Sequence, residues 1–210
     1  VPVTVKTRIG IDNRDDYAFL HHFVETVRAA GCRSFSIHAR KAWLSGLSPR
    51  ENRDKPPLIY ERARQIKHDF PDCEVILNGG LERMDAIEEE LQWVDGAMVG
   101  REVYRNPWFL AEADRRIFGA PTPVPDRHAV AGAFLAYLER RYAAGTHPRH
   151  VLRHVLHLFQ GLRGARAFRR HLSEHMHHRD ATPEVFAHAL ALVPSAVDSY
   201  DEGLSRASGG

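Results

Sequence analysis

Residues 1–118 repeat one pattern four times: a short apolar run, a polar or glycine-rich turn, and an amphipathic helical stretch. The apolar runs are residues 1–7, 35–37, 74–77 and 96–99, and each contains Val, Ile or Phe. Short runs of this kind are typical of strands buried on both faces. Because strands and helices alternate, the pattern predicts βαβ units and a parallel sheet, which is an α/β fold.

The number of units leaves two architectures open. Four β/α units are either half of an eight-stranded barrel or a small doubly wound sheet. A complete (β/α)8 barrel takes about 250 residues, so four units in 118 residues correspond to about half of one. A half barrel alone would expose two strand edges, and the chain starts inside a predicted strand without an initiator Met. We therefore expect the chain to be part of a longer protein.

The first predicted helix shows how the sequence sets helix limits. Asp15 or Asp16 is expected to cap its amino terminus, and Gly31 is expected to end it. The apolar stripe between these positions consists of Leu20, Phe23, Val24 and Val27.

The sequence changes character after a proline-rich linker at residues 120–126. Residues 127–193 carry apolar stripes at helical spacing without a strand signal, which predicts a small all-helical domain. Residues 1–119 would form the barrel portion. Residues 194–210 are polar and rich in Gly and Ser, so we expect a flexible tail.

Charge is concentrated in the predicted helical domain. The whole chain has a net charge of +2, but residues 127–179 hold ten Arg against two Glu, together with nine of the fourteen His. A basic block inside a nearly neutral protein is typical of a surface that binds a polyanion such as nucleic acid. A solvated helical face is the alternative.

Composition excludes several classes of protein. No run approaches the roughly 18–20 apolar residues that a membrane span needs, so we expect no membrane association. The amino terminus lacks the basic and apolar regions of a signal peptide. The only two cysteines, Cys32 and Cys73, do not define a disulfide scaffold, and we expect both to be buried apolar side chains. A cytoplasmic protein fits these features.

Polar residues and glycines follow every predicted strand. The four strand ends are Lys6-Thr7-Arg8, His38-Ala39-Arg40, Asn78-Gly79-Gly80 and Gly100-Arg101. In parallel barrels the functional residues lie at these carboxyl ends, and the last two loops often bind phosphate. Glycine lets the backbone approach a phosphate closely, and Arg101 can add a charge-assisted contact. Lys6 suits an electron-rich ring, whereas His38 either contacts a cofactor or is a satisfied core histidine.

Metal binding is not favoured by the histidine pattern. His171, His175 and His178 share one helical face, so a zinc ion is conceivable there. The spacing matches no common zinc motif, and we favour a solvated basic face, with no metal.

Several segments closely resemble the A subfamily of tRNA-dihydrouridine synthases. They are PVTVKTRIGID (2–12), SIHARKAWLSGLSPRENR (36–53), ILNGG (76–80), DGAMVGREVYRNPW (95–108) and LFQGLRGARAFRRHLSE (158–174). The resemblance extends from residue 1 to about residue 193. It implies the carboxy-terminal half of a TIM-type (β/α)8 barrel that binds FMN, followed by a helical tRNA-binding domain.

The resemblance also implies an activity and a set of site residues. Members of this family use NADPH to reduce FMN, which then reduces a uridine of the tRNA D-loop, here expected at positions 20 and 20a. The FMN-binding positions that match are Lys6, His38, Asn78, Gly79, Gly80, Gly100 and Arg101. The tRNA-binding positions that match are Arg50, Arg53, Arg166 and Arg169. The complete protein would be a cytoplasmic monomer.

One element of the family is absent from this sequence. The family's proton donor is a cysteine in an Asn-x-Gly-Cys-Pro motif, which these 210 residues do not contain. We therefore expect no catalytic residue in this chain and no turnover by the chain alone. Two other functions stay open: a non-catalytic RNA-binding module, and a flavin barrel that oxidises or reduces a small molecule.

Overall fold

The chain forms two compact units, Val1–Gly100 and Arg101–Gly210. A computed structural model describes residues 1–195, so the predicted tail lies outside the described residues from position 196 onward. The division falls before the predicted linker at residues 120–126, and the domain limits drawn from the sequence stay predictions.

The first unit contains a four-stranded sheet whose strands are all parallel. The strands are β1 (Val5–Arg8), β2 (Ser34–His38), β3 (Glu74–Asn78) and β4 (Gly96–Met98), and they lie in that order in the sheet. The helices of this unit are α1 (Tyr17–Ala29), α2 (Glu51–Asp54), α3 (Glu61–Asp69) and α4 (Met84–Glu90). This confirms the predicted α/β fold. Sequential strand order is consistent with part of a TIM-type barrel, whereas doubly wound sheets reverse their order at a switch point.

The strand register separates two kinds of side chain. Phe35, Ile37, Val75 and Leu77 are fully buried and lie at alternate positions of β2 and β3. The positions between them point to the other face, where His38, Ile76 and Asn78 are only half-buried. Ser36 is the buried exception on that face. The expectation of strands buried on both faces is therefore right for one face of β2 and β3 only.

Helix α1 begins and ends as its sequence predicts. The carboxylate of Asp16 accepts a hydrogen bond of 2.7 Å from the Phe19 backbone N–H, so Asp16 is the N-cap. Asp15 instead pairs with the Lys41 ammonium at 2.6 Å. Gly31 follows the helix with a φ of +104°, a backbone conformation that favours glycine.

The second unit is built from helices over its described residues. They are α5 (Arg101–Arg105), a 3-10 helix (Pro107–Glu112), α6 (Ala113–Arg116), α7 (Arg127–Ala143), α8 (Arg149–Leu152), α9 (Ala165–His175) and α10 (Glu184–Leu190). Between residues 127 and 193 the structure shows no strand, as predicted. The core of this unit contains Leu138, Phe159, Phe168, Leu172 and Phe186, all fully buried.

Two glycines of the second unit provide a matched test of close backbone packing. Both Gly161 and Gly164 have positive φ, of +86° and +83°. A Cβ at Gly164 would lie 2.4 Å from the backbone oxygen of Leu192, whereas a Cβ at Gly161 would meet nothing within 4 Å.

We expect Gly164→Ala to destabilise the unit more than Gly161→Ala. Both variants carry about 1–2 kcal/mol of left-handed strain, and Gly164→Ala adds about 1–3 kcal/mol because Leu192 must shift. Urea unfolding of the two variants measures the difference. Equal free energies of unfolding would show that the contact with Leu192 does not limit this position.

Candidate functional site

The register of the sheet places candidate residues from three strands on one face. Arg8 of β1, His38 of β2 and Asn78 of β3 occupy paired positions at the carboxyl ends of their strands. Neighbouring strands lie about 4.8 Å apart, so these residues form a row. Lys6 lies two positions before Arg8 and therefore shares this face. We call Lys6, Arg8, His38 and Asn78 the strand-end row.

His38 is the most perturbed member of the strand-end row. Burial, together with the positive charges of Arg8, Lys6 and Arg40, lowers the pKa of His38 to about 4. Its Nδ1 atom is buried and has no hydrogen-bond partner among the described residues. A buried polar atom without a partner is rare in folded proteins. It therefore marks a place where a polar group of a ligand would fit.

Lys6 adds a positive charge to the same face. Partial removal from water, and then the nearby Arg8 charge, lower the pKa of the Lys6 ammonium. The side chain forms no hydrogen bond or ion pair with the residues that the structure describes. It is thus available to contact an electron-rich ring or an oxygen atom.

The loop after β3 holds two glycines in backbone conformations that other residues rarely adopt. Gly79 has a φ of +112° and Gly80 a φ of +67°. A Cβ at Gly79 would lie 3.2 Å from His38 Nε2, and a Cβ at Gly80 would lie 2.3 Å from Leu58 Cδ1. The Tyr60 hydroxyl donates a 2.9 Å hydrogen bond to the Gly79 carbonyl and fixes the loop. The backbone here is exposed to a ligand that approaches closely.

Asn78 has a structural contact of its own. Its side-chain Nδ2 donates a 2.6 Å hydrogen bond to the Met98 carbonyl and so joins β3 to β4. The backbone oxygen of Asn78 accepts from the Ala39 N–H at 2.9 Å. Asn78 therefore fastens the two neighbouring strand ends.

The remaining predicted phosphate contacts divide between the two units. Gly100 ends the first unit, and Arg101 begins α5 in the second. A Cβ at Gly100 would meet nothing within 4 Å. Neighbouring atoms therefore give no reason for a glycine at this position, unlike at Gly79 and Gly80.

Arg50 and Arg53 lie exposed on the loop that follows β2. Ser48 and Glu51 form a capping box at the start of α2, because the Glu51 carboxylate accepts from the Ser48 N–H at 2.9 Å and the Ser48 hydroxyl accepts from the Glu51 N–H at 3.3 Å. Glu51 also pairs with Lys55 at 2.7 Å, one helical turn further on. Arg53 thus lies on a short helix, and Arg50 immediately precedes it.

Arg166 and Arg169 lie one turn apart on α9, as the sequence predicts. Arg166 is exposed and Arg169 is half-buried. The Arg169 Nη1 donates a 3.2 Å hydrogen bond to Gln160 Oε1. Gln160 thus orients one member of this basic pair.

Sequence reasoning did not include Arg8 and Tyr60 among the site residues. The period-two alternation of a strand places Arg8 on the face of Lys6, so its position was available as a signal. Tyr60 bonds to a backbone 19 residues away, and nothing in the local sequence indicates that contact.

The other chemical groups show few signs of a site. Cys73 is buried, and burial raises the pKa of its thiol, whereas Cys32 is half-buried; both are free. In residues 1–195 no group of three His, Cys, Asp or Glu is arranged to hold a metal ion. Within the same residues, no helix combines the length and apolar character that a membrane span requires.

Comparison with known proteins defines the family. Residues 1–193 match the model of the dihydrouridine synthase family. The chain therefore belongs to the dihydrouridine synthase family.

Three relatives carry the name tRNA-dihydrouridine(20/20a) synthase. The one from Vibrio cholerae serotype O1 is 53% identical over 195 residues, which are 92% of this chain and 60% of the relative. The one from Escherichia coli K12 is 53% identical over 194 residues, 92% of this chain and 56% of the relative. The one from Shewanella oneidensis is 52% identical over 185 residues, which are 88% of this chain and 55% of the relative. The chain thus spans less than two thirds of the length of these relatives.

The low pKa of His38 has a measurable consequence for stability. The folded value of about 4 lies below the ordinary value of 6.5, so the unfolded state binds more protons between these two pH values. Stability therefore falls as pH drops from about 6.5 towards 4.

We expect His38→Gln to remove this part of the pH dependence, as measured by the difference in unfolding free energy between the two proteins. An NMR titration should show the His38 ring with a midpoint near pH 4, with the exposed His22 ring as reference. A His38 midpoint near 6.5 would contradict the proposed environment of the imidazole.

Proposed function

We propose that the gene product containing this chain is an FMN-dependent tRNA-dihydrouridine synthase. It reduces uridines 20 and 20a of the tRNA D-loop to 5,6-dihydrouridine, with NADPH as the reductant. The observation that supports this most is the buried, unpartnered Nδ1 of His38 beside Lys6 and the Gly79-Gly80 loop, in a chain of this family. The relatives' name supplies the substrate.

The proposed arrangement assigns this chain to one portion of the enzyme. Residues 1–119 would supply the carboxy-terminal half of the (β/α)8 barrel, residues 120–126 a linker, and residues 127–193 a helical tRNA-binding domain. The catalytic cysteine would come from the part of the family's barrel that this sequence does not contain. The whole protein would act as a monomer in the cytoplasm, where free thiols such as Cys32 and Cys73 are stable.

The candidate cofactor residues fit FMN in chemical type. Lys6 would contact the electron-rich edge of the flavin ring, and neutral His38 would hydrogen bond to it. Asn78, Gly79, Gly80, Gly100 and Arg101 would surround the phosphate. FMN reduced by NADPH would supply the hydride for the uracil ring. Because the pKa of His38 is about 4, its imidazole keeps one N–H and one acceptor at neutral pH.

The arginines would hold the RNA rather than take part in the reaction. Arg50, Arg53, Arg166 and Arg169 match the family's tRNA-binding positions, and all carry positive charge at neutral pH. Contacts with phosphates set the position of the RNA but carry no sequence information. The target uridine must leave its stack to reach the cofactor, as other enzymes that modify bases require.

A non-catalytic RNA-binding module is the second candidate. The ten Arg within residues 127–179 favour it. A pure RNA-binding protein needs no flavin, so bound flavin separates the two functions.

The direct test is the dihydrouridine content of cellular tRNA. Deletion of the gene should remove dihydrouridine at positions 20 and 20a, as measured by mass spectrometry of tRNA digests. Restoring the gene should restore the modification, and a Lys6→Met variant should restore less. Unchanged dihydrouridine at both positions after deletion would overturn the proposed function.

Arg166 and Arg169 give a prediction about tRNA affinity. We expect the double variant Arg166→Ala/Arg169→Ala to bind unmodified tRNA more weakly by about 100-fold or more, because two charged hydrogen bonds at about 1.5–3 kcal/mol each add to at least about 3 kcal/mol. The dependence of log Kd on log salt should flatten by about one unit for each arginine that contacts a phosphate.

Arg33→Ala is the matched control for this double variant. Arg33, like Arg166, is exposed, but it lies just before β2, at the amino-terminal edge of the sheet. The tRNA affinity of the Arg33→Ala variant, and its slope of log Kd against log salt, should equal those of the wild type. If the double variant binds tRNA with the affinity of the wild type, Arg166 and Arg169 are not part of the proposed tRNA-binding surface.

A further inference from the structure

The loop that carries Arg50 and Arg53 is tied to the sheet by two residues that the sequence analysis did not include among the site residues. We propose that Arg8 and Asn52 are positioning residues, which hold this loop, residues 41–53, in the conformation that binds tRNA. The proposal deepens the proposed function and rests on it. We call this segment the arginine loop.

Asn52 joins the two halves of the arginine loop. Its Oδ1 accepts a 2.8 Å hydrogen bond from the Trp43 backbone N–H, and its Nδ2 donates a 2.5 Å hydrogen bond to the Trp43 carbonyl. The Asn52 side chain thus bonds to both backbone polar groups of Trp43, as the backbone of a neighbouring β-strand would. Asn52 lies between Arg50 and Arg53 in sequence, so this contact fixes the backbone that carries both arginines.

Arg8 ties the same two halves to β1. Its Nη1 donates hydrogen bonds of 2.8 Å to the Lys41 carbonyl and 2.9 Å to the Asn52 carbonyl. These acceptors lie 33 and 44 residues further along the chain. One guanidinium nitrogen therefore closes the loop at both of its ends.

The first half of the arginine loop is already part of a rigid frame. The Ala42 N–H donates to the Gly10 carbonyl at 2.8 Å, and the Asp12 N–H donates to the Ala42 carbonyl at 2.7 Å. The Leu44 N–H donates to the Asp12 carboxylate at 2.9 Å. Asp12 adopts a positive φ of 51°, which is rare for a residue other than glycine.

The second half of the arginine loop, which leads into α2, depends on the contacts of Asn52 and Arg8 because α2 is too short to be stable alone. Helix α2 has four residues, whereas isolated helices shorter than about 12 residues are marginal in water. The hydrogen bonds of Asn52 and Arg8 join α2 to distant parts of the chain and stabilise it. Without them, tRNA binding would have to order the loop as well as contact it.

The affinity test separates positioning from contact. Ordering one backbone residue costs about 1–2 kcal/mol, so Asn52→Ala should weaken tRNA binding by about 5- to 30-fold. The slope of log Kd against log salt should stay at the wild-type value, because every arginine remains. Arg50→Ala/Arg53→Ala should lower both the affinity and the slope. Asn13→Ala, at an exposed position of the neighbouring loop, should change neither.

Arg8 provides a conservative pair of variants. A lysine at this position can still donate to both carbonyls, so Arg8→Lys should bind tRNA within about 3-fold of the wild type. Arg8→Met keeps an unbranched side chain but removes the donors, so it should weaken binding as Asn52→Ala does. A loss of the same size in both variants would overturn the role of these hydrogen bonds.

Limited trypsin digestion measures how well ordered the arginine loop is in the absence of RNA. Cleavage after Arg50 and Arg53 should be several-fold faster in Asn52→Ala and Arg8→Met than in the wild type and Arg8→Lys. Circular dichroism of each variant establishes that the sheet and helices are intact.

The outcomes distinguish this inference from the proposed function. Specific tRNA binding by the wild type, with equal affinity and equal cleavage in Asn52→Ala, overturns the positioning role alone. If the wild type binds an unrelated RNA as tightly as tRNA, the proposed function is overturned, and the inference with it. All binding measurements use the gene product that contains this chain.

Discussion

The parallel register of β1, β2 and β3 is the constraint on which the candidate site depends. Side chains alternate along a strand, so a shift by one residue would exchange the buried face with the open one. Phe35, Ile37, Val75 and Leu77 are fully buried on one face, and this burial fixes the register. The same register places Lys6, His38 and Asn78 on the opposite face. The hydrophobic core therefore aligns the polar row, although it contains none of the row's residues.

Positive charge gives this row its chemical character. Burial, and then the positive charges of Arg8, Lys6 and Arg40, lower the pKa of His38, so the imidazole stays neutral within a cationic surrounding. A neutral imidazole beside a lysine suits a ligand that offers both an electron-rich ring and hydrogen-bonding groups. The glycines after β3 allow that ligand to approach the backbone, because side chains at Gly79 and Gly80 would contact His38 and Leu58.

The sequence predicted those features that depend on local patterns. The four parallel strands and the Asp16 cap follow from spacing and capping preferences, and the structure confirms them. The contacts of Arg8 with Lys41 and Asn52 could not be predicted, because they join residues far apart whose proximity depends on the completed sheet. The unpartnered Nδ1 of His38 likewise reflects three-dimensional burial. The roles of Arg50, Arg53, Arg166 and Arg169 rest on motif resemblance.

Flavin binding tests the central claim most directly. The gene product that contains this chain should be purified, stripped of any flavin, and titrated with FMN while flavin fluorescence and visible absorbance are recorded. The account predicts saturable binding of one FMN per chain, with weaker binding by Gly80→Val, whose side chain would collide with Leu58. No binding of FMN by the folded wild-type protein, or equal binding by Gly80→Val, would contradict a flavin site at these strand ends.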